Sequence, residues 1–480
     1  MATIALSSNT QFSEIDVLYQ VQKAQGPAVA ASTAKERIRK LKRLEKVLMA
    51  HRTHIQEALF ADFRKPDSET DLIEIFPLLV EIKHTCRRLR QWMRPRSVDT
   101  PWPLLGTSSQ IRYEAKGAVL VISPWNFPFQ LALSPMISAV AAGNTVILKP
   151  SEYTPNTTAI MRKVLKEVFP ENEVAVVEGD HVVAQHLLTL KFDHIFFTGS
   201  PEVGKLVMKA AAEHLSAVTL ELGGKSPVII DETADVEAAA RRIIAGKLSN
   251  CGQICVAPDY ALVHESRQAD FIKAFVKYSE SMYGATDEDR INGNYTRIIS
   301  NRHTTRLKAL LDDALQKGAT VVYSGGKVQE AENYFPPMLL TGVTADMQMD
   351  SEEIFGPILP IYPFAELHEA IRFVNNKEKP LALYIFSKSR RHVEQILNET
   401  SSGGVTVNDI ALHFYNYELP FGGVNHSGLG KSHGEFSFQE FSNAKAVLRQ
   451  WAPVSGAELI MYPPFTALKK QLVTWLMKYI

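Results

Sequence analysis

The feature that most constrains this chain is a rhythm. From Gly117 onward, short apolar, β-branched runs alternate with helical stretches. GAVLVIS is followed by a helical stretch from Phe129 to Ala142, and NTVILKP by another from Thr157 to Val168. EVAVVEG, DHIFFTG and AVTLEL continue the series. A run that is apolar at every position has no solvent face, so it predicts a strand buried on both sides by the helices between. The expectation is an α/β fold with a parallel sheet of βαβ units. A second series begins near Ser226, with PVIID, YALVH, TVVYSG, LALYIFS and GGVTVN as strand candidates. Two series predict two domains with a cleft between them.

The flanks read differently. AKERIRKLKRLEKVLM (34–49) has the spacing of an amphipathic surface helix, and a second helix is expected from about Asp71 to Trp92. The Pro-bearing RPRSVDTPWP interrupts, and SSQIRYEAKG and NAKAVLRQW read as extended. Past Tyr462-Pro463-Pro464, a terminal helix would carry Leu468, Leu472, Trp475, Leu476 and Tyr479 on one face. With 480 residues, 45% of them hydrophobic and 22% charged, the chain suits a globular protein of two or three domains. Lys+Arg and Asp+Glu both number 52 with no long run of one sign, which speaks against a nucleic-acid partner. No apolar stretch reaches the about 18 residues of a membrane span, and MATIALSSNTQF lacks the features of a secretory signal. Three cysteines, Cys86, Cys251 and Cys255, fit a reducing compartment, so a cytoplasmic location is expected.

Several residues could carry chemistry. Cys255 lies in NCGQICVAPDY, flanked by Gly252 and Pro258 and crowded by polar side chains, as a partly exposed thiolate nucleophile would be. Glu221 ends the run LEL before two glycines, which puts its carboxylate at the carboxyl edge of a sheet, where ligands bind in open α/β folds. Partial desolvation there raises a carboxyl pKa and suits a general base. Asn126 sits in SPWNFPF, held by prolines and aromatics, and could aim its amide at an oxyanion. Lys149 and Glu152 follow one strand. FTGSPEVGK ends another and opens a helix between Gly199 and Gly204, a geometry that accepts phosphate. Each also has an ordinary reading: a packing Cys, a solvated strand-end Glu, a turn Asn, a weak glycine pair.

Together these segments resemble the aldehyde dehydrogenase superfamily across nearly the whole chain. PWNFP (124–128), KPSE (149–152), FTGSPEVGK (197–205), LELGGKSP (220–227), GQICVAP (252–258), EIFGP (353–357) and PFGG (420–423) occur in the family's order. The resemblance implies roles. Cys255 would be the nucleophile, Glu221 the base and Asn126 the oxyanion donor, aided by the Cys255 backbone N–H. Lys149 and Glu152 would bind the adenosine ribose, and Ser200 with the Gly199–Gly204 turn the pyrophosphate. Glu353 and Phe355 would hold the nicotinamide ribose and ring, with Trp125 and Leu222 completing the cofactor site. No metal is implied. The short N-terminal region, VAPDYALVH and the YPPF-containing extension resemble the class 3 branch, which includes fatty aldehyde dehydrogenases. QLALSPMISA lacks the Lys that many members carry after PWNFP, so no role of that Lys transfers.

The resemblance implies a Rossmann-like cofactor domain (1–96 and 116–223), an α/β catalytic domain (224–424), a β oligomerisation arm (97–115 and 441–452) and a C-terminal extension (453–480). It also implies NAD or NADP as cofactor, both accepted, and a homodimer paired through its arms. Non-acylating oxidation of an aldehyde to the acid is expected, because acylating relatives lack a carboxylate at the Glu221 position. A semialdehyde substrate would need a cation in the tunnel, and a non-catalytic relative would not keep Cys255, Glu221, Asn126 and Glu353. The terminal helix resembles one that lies over the substrate tunnel in fatty aldehyde dehydrogenases, which implies medium- to long-chain or otherwise apolar substrates. Peripheral membrane contact is the alternative use of that helix. Cys251, four residues before Cys255, either packs behind the loop or forms a protective disulfide. In a helix the Cβ atoms would be ~5–6 Å apart, too far for the ~3.5–4.5 Å required, whereas a bend at Gly252 would close the gap.

Overall fold

A computed structural model describes residues 8–479, with side chains at 11–478. Met1–Ser7, part of the N-terminal segment read above for a signal, and the Tyr479 side chain lie outside the described residues. Six helical segments come first: Ser8–Ala30, Ala34–Ala50, Arg52–Phe63, Asp67–Thr70, a π-helical turn at Asp71–Ile75, and Phe76–Trp92. The second starts at a capping box. Thr33 Oγ1 accepts from Glu36 N, and Glu36 Oε2 accepts from Thr33 N at 2.7 Å. The helices 34–50 and 76–92 lie side by side. They gather Lys35, Arg39, Lys42, Arg43 and Lys46 of the first helix and Arg90 of the second along one groove.

The strands β1 (Arg96–Val98) and β2 (Thr107–Ala115) begin a small separate sheet. Next come β3 (Ala118–Ile122), β4 (Thr145–Lys149), β5 (Val174–Val176), β6 (His194–Gly199) and β7 (Ala217–Leu222), all parallel. Side chains alternate between two cores as two-faced burial demands. Val119, Val121, Val146 and Leu148 enter one, while Leu120, Ile122 and Ile147 enter the other. A second sheet holds β8 (Pro227–Ile230), β9 (Tyr260–His264), β10 (Thr320–Ser324), β11 (Met338–Thr341), β12 (Ile358–Phe364), β13 (Ala382–Phe386) and β14 (Gly404–Val407), in the order β10-β11-β12-β9-β8-β13-β14. Only β10 is antiparallel to its neighbour. The chain then returns. β15 (Gly428–Leu429) pairs antiparallel with β7, completing the first sheet as β15-β7-β6-β3-β4-β5, and β16 (Ser442–Gln450) pairs with β2 along nine residues.

This topology creates the cleft. In the first sheet Ile122 stands beside Lys149 and Phe197, and Gly199 beside Leu222, so four strands end at one edge. The link 223–226 runs straight from that edge to the start of β8. Pro227 pairs with Tyr260, so the loop entering β9, which carries Cys255, arrives at the same place. The amino ends of one sheet therefore face the carboxyl ends of the other.

The sequence expectation missed the helix Ser8–Ala30 and the strands β11 and β12. The helix Ala467–Tyr479 packs on the chain's own surface, one of the uses open to it, with Leu476 buried and Trp475 edge-to-face on Trp102. Leu468 and Trp475 remain more than half exposed. Among the described residues, no helix is long and apolar enough to cross a membrane.

Candidate active site

Cys255 and Glu221 share the wall of one cavity of about 280 Å³. Cys255 reaches it because the chain bends sharply just before it. Asn250, Cys251 and Gly252 have φ of +49°, +53° and +74° in succession. Gly252 has no alternative here, since a Cβ would lie 2.2 Å from Gly356 O. The cavity is mainly apolar, with Phe127, Leu131, Phe196, Ile254, Phe414 and Phe421 on its walls.

The electrostatics depart from expectation at the thiol. The sequence predicts a thiolate at rest, but burial, with the charges of Glu353 and Glu221 nearby, pushes the Cys255 pKa up to about 12. Glu221 is buried. Burial pushes its pKa up to about 8, opposed by a hydrogen bond from Ser432 and by the charge of Lys431. Ser432 Oγ donates to Glu221 Oε1 at 2.8 Å, while Oε2 is buried with no partner. Ser432 was invisible in the sequence. It arrives because β15 brings Gly428 opposite Glu221.

Asn126 is buried beside the Cys255 loop. Its Nδ2 donates to Gln253 O at 3.0 Å, and its own carbonyl accepts from Asn250 Nδ2 at 3.0 Å and Lys65 Nζ at 3.1 Å. One amide N–H is thus used to hold the Cys255 loop and the other is uncommitted. Cys251 faces the opposite way. It has no exposed surface, its Sγ lies 3.4 Å from Tyr295 Oη, and burial pushes its thiol up to about 12. Gly252 bends the segment as a disulfide would need, but the bend sends Cys251 into the core rather than toward the cavity.

The remaining expected residues cluster at the carboxyl edge of the first sheet. Buried Lys149 pairs with the half-exposed Glu152 at 3.0 Å. Ser200 caps the helix Pro201–Ala212, its Oγ accepting from Val203 N. A Cβ on Gly204 would meet Leu222 Cδ2 at 2.6 Å, so glycine lets that helix sit tight on β7. A Cβ on Gly223 would lie 2.1 Å from Glu353 Oε2, and burial raises the Glu353 pKa to about 8. Trp125 meets Phe355 edge-to-face at 5.4 Å, and Phe355 takes φ +50°. His303, missed by the sequence, packs on Trp125 at 4.8 Å, its pKa lowered to about 4 by burial beside Arg306 and Arg302. A cation and a carboxylate, a capped helix N-terminus, and a second carboxylate beside a glycine suit, in that order, a ribose, a pyrophosphate and a second ribose of a dinucleotide.

Residues 2–447 match the aldehyde dehydrogenase family. The chain is 44% identical to the 4,4'-diaponeurosporen-aldehyde dehydrogenase of Staphylococcus aureus, over 88% of this chain and 91% of that one. It is 39% identical to the mouse aldehyde dehydrogenase family 3 member A2, over 92% and 88%. A substrate-bound Staphylococcus aureus AldH structure superposes with a TM-score of 0.91 at 41% identity, covering 96% of this chain and 99% of that chain. A Mycobacterium tuberculosis aldehyde dehydrogenase complexed with NAD+ superposes with a TM-score of 0.84 at 26% identity, covering 92% of each.

Proposed function

The chain belongs to the aldehyde dehydrogenase family, is class 3-like and NAD(P)-dependent, and on that premise we propose that it converts apolar, medium- to long-chain aldehydes to acids through Cys255 and Glu221. The observation that carries this reading is that the thiol and the carboxylate open into one mainly apolar cavity. The Cys255 thiol gives up its proton to solvent, and its sulfur adds to the carbonyl carbon. The oxyanion is held by the Cys255 N–H and the uncommitted N–H of Asn126. When bound, the oxidised nicotinamide supplies a hydride acceptor and a positive charge. The thioester left on Cys255 is cleaved by water. Glu221 Oε2, which has no other partner, takes the water's proton and passes it to solvent as the carboxylate product leaves.

In this reading Lys149 and Glu152 bind the adenosine ribose, Gly199, Ser200 and Gly204 the pyrophosphate, and Glu353 the second ribose. Trp125, Leu222 and Phe355 border the nicotinamide. The Lys149–Glu152 ion pair offsets the carboxylate that would repel an NADP phosphate, which supports use of both cofactors. We assign 1–96 and 116–223 to the cofactor domain, 224–424 to the catalytic domain, 97–115 and 441–452 to the arm, and 453–480 to the extension. The outer edge of β16 is unpaired and mostly exposed, which supports a homodimer. Sedimentation of a stable monomer at micromolar concentration would remove that part. The exposed Leu468 and Trp475 beside Lys469 and Lys470 support peripheral binding to an anionic membrane. Equal vesicle binding by the full chain and one ending at Tyr462 would remove that part.

A semialdehyde substrate is disfavoured. The one cation on the cavity wall among the described residues, Arg242, is already paired with Asp409 at 3.3 Å. A panel of alkanals and succinic semialdehyde tests the substrate class. Each buried methylene adds about 0.8 kcal/mol, so kcat/KM is expected to climb from propanal to octanal. A preference for succinic semialdehyde would contradict the reading.

A further inference from the structure

One stretch outside both large sheets grips the two loops of the proposed centre. Residues 64–75 begin at Arg64, with φ +53°, and end in the π-helical turn Asp71–Ile75, a rare geometry frequent at functional sites. Lys65 is fully buried. Its Nζ donates to Asn126 O at 3.1 Å and to Glu74 Oε1 at 2.5 Å. Glu74, equally buried, accepts through Oε2 from Phe129 N at 3.2 Å and Gln130 N at 2.9 Å, two N–H groups at the start of the helix Gln130–Ala142. The Asn126 loop is thereby pinned at both ends.

Glu69 does the same for the Cys255 loop. Its Oε1 accepts from Ser249 Oγ at 2.7 Å and Asn250 N at 2.5 Å, and its Oε2 from Thr296 Oγ1. Asn250 opens the three left-handed residues that turn Cys255 into the cavity. Asn tolerates left-handed backbone but Cys does not, so a run that includes Cys251 persists only where its surroundings hold it. Asn250 Nδ2 then returns to Asn126 O and to Gln253 O at 3.1 Å, bonding the two loops together.

We propose that Lys65 and Glu69 are positioning residues that set the separation between the Asn126 amide and the Cys255 thiol. This rests on the reading of Asn126 and Cys255 as oxyanion donor and nucleophile. The effect falls on acylation. Glu69 bonds to none of Lys149, Glu152 and Ser200, so cofactor affinity is spared.

The test is the pre-steady-state NAD(P)H burst of the full-length enzyme, with melting temperature and cofactor KM recorded beside it. Glu69→Ala is expected to slow the burst about 100-fold, the cost of displacing a reacting group by about 1 Å, while cofactor KM stays within about twofold. Glu69→Gln keeps an acceptor for Asn250 N and should recover most of the rate. A purely structural role would lower the melting temperature and leave the burst rate per active site unchanged. That result, or equal slowing by Ala and Gln, overturns the proposal. Should Glu69→Ala not fold, Thr296→Val removes one of its three donors and must itself slow the burst; a wild-type burst there overturns the proposal equally. Cys255→Ser is measured alongside. Turnover by that variant overturns the underlying reading too, whereas its inactivity beside an unchanged Glu69→Ala overturns the positioning role alone.

Discussion

The loop before β9 has two faces, each carrying a cysteine, and burial is the leading cause that pushes both thiols up to about 12, but only one of the two faces a cavity. At Cys251 the rise comes from burial in a core, against Tyr295 and Phe335. At Cys255 burial leads, but the charges of Glu353 and Glu221 add to it, and a cavity lies in front. A core cannot change without unfolding, whereas charge in a cavity changes whenever a ligand enters. A resting pKa therefore does not distinguish a reactive thiol from an inert one. What distinguishes them is whether the causes of the shift can be altered and whether a substrate can reach the sulfur.

The contrast breaks most sharply at Cys255 itself. Cys255→Ser should lower kcat by on the order of 10⁴ or more, because a serine hydroxyl in this site has no base strong enough to ionise it. Residual turnover within tenfold of wild type would place the nucleophile elsewhere. Asn126→Ala comes next, with an expected loss of about 10²–10³ in kcat, the usual cost of removing one oxyanion donor. A change only in cofactor KM would contradict that role.

A pH profile sharpens the cavity side. A base works when deprotonated, so turnover limited by deacylation should rise with pH and level off above about 8, where burial holds the Glu221 pKa. The Ser432 hydroxyl lowers that pKa by donating to the carboxylate, so Ser432→Ala should move the rising limb to higher pH. A limb that stays in place would break the link between Ser432 and the base. The smallest effect belongs to the core side. Cys251→Ala should cost about 1 kcal/mol of stability and change kcat by less than about twofold. Recovery after peroxide and dithiothreitol should equal that of wild type, and poorer recovery would revive the protective disulfide.

The strands read from the sequence are those whose pattern is local. β3, β4 and β6–β9 are short runs apolar at nearly every position, and β13 and β14 end in clear breaks. β12 was missed because ILPIYPF contains Pro360 and Pro363, which normally demote a strand. Its ladder to β11 ends at Pro360 and its ladder to β9 spans 361–364, so each proline falls at or near the end of one ladder. The motifs made Cys255, Glu221 and Glu353 legible through their glycine and proline neighbours. Ser432, Glu69 and Lys65 had no such signal, because their meaning comes from chain crossings of 211, 181 and 61 residues that one dimension does not show. The thiol's surroundings are illegible for a related reason: burial by the folded chain leads the rise in its pKa, and two carboxylates far along the sequence add to it.

The most direct measurement of the central claim uses Glu221→Gln, mixed with NAD+ and octanal, quenched after one turnover and examined by mass spectrometry. The account predicts one NADH per active site, no steady-state release, and an octanoyl adduct on the peptide containing Cys255. Absence of the burst, or an acyl group on any other residue, would contradict it.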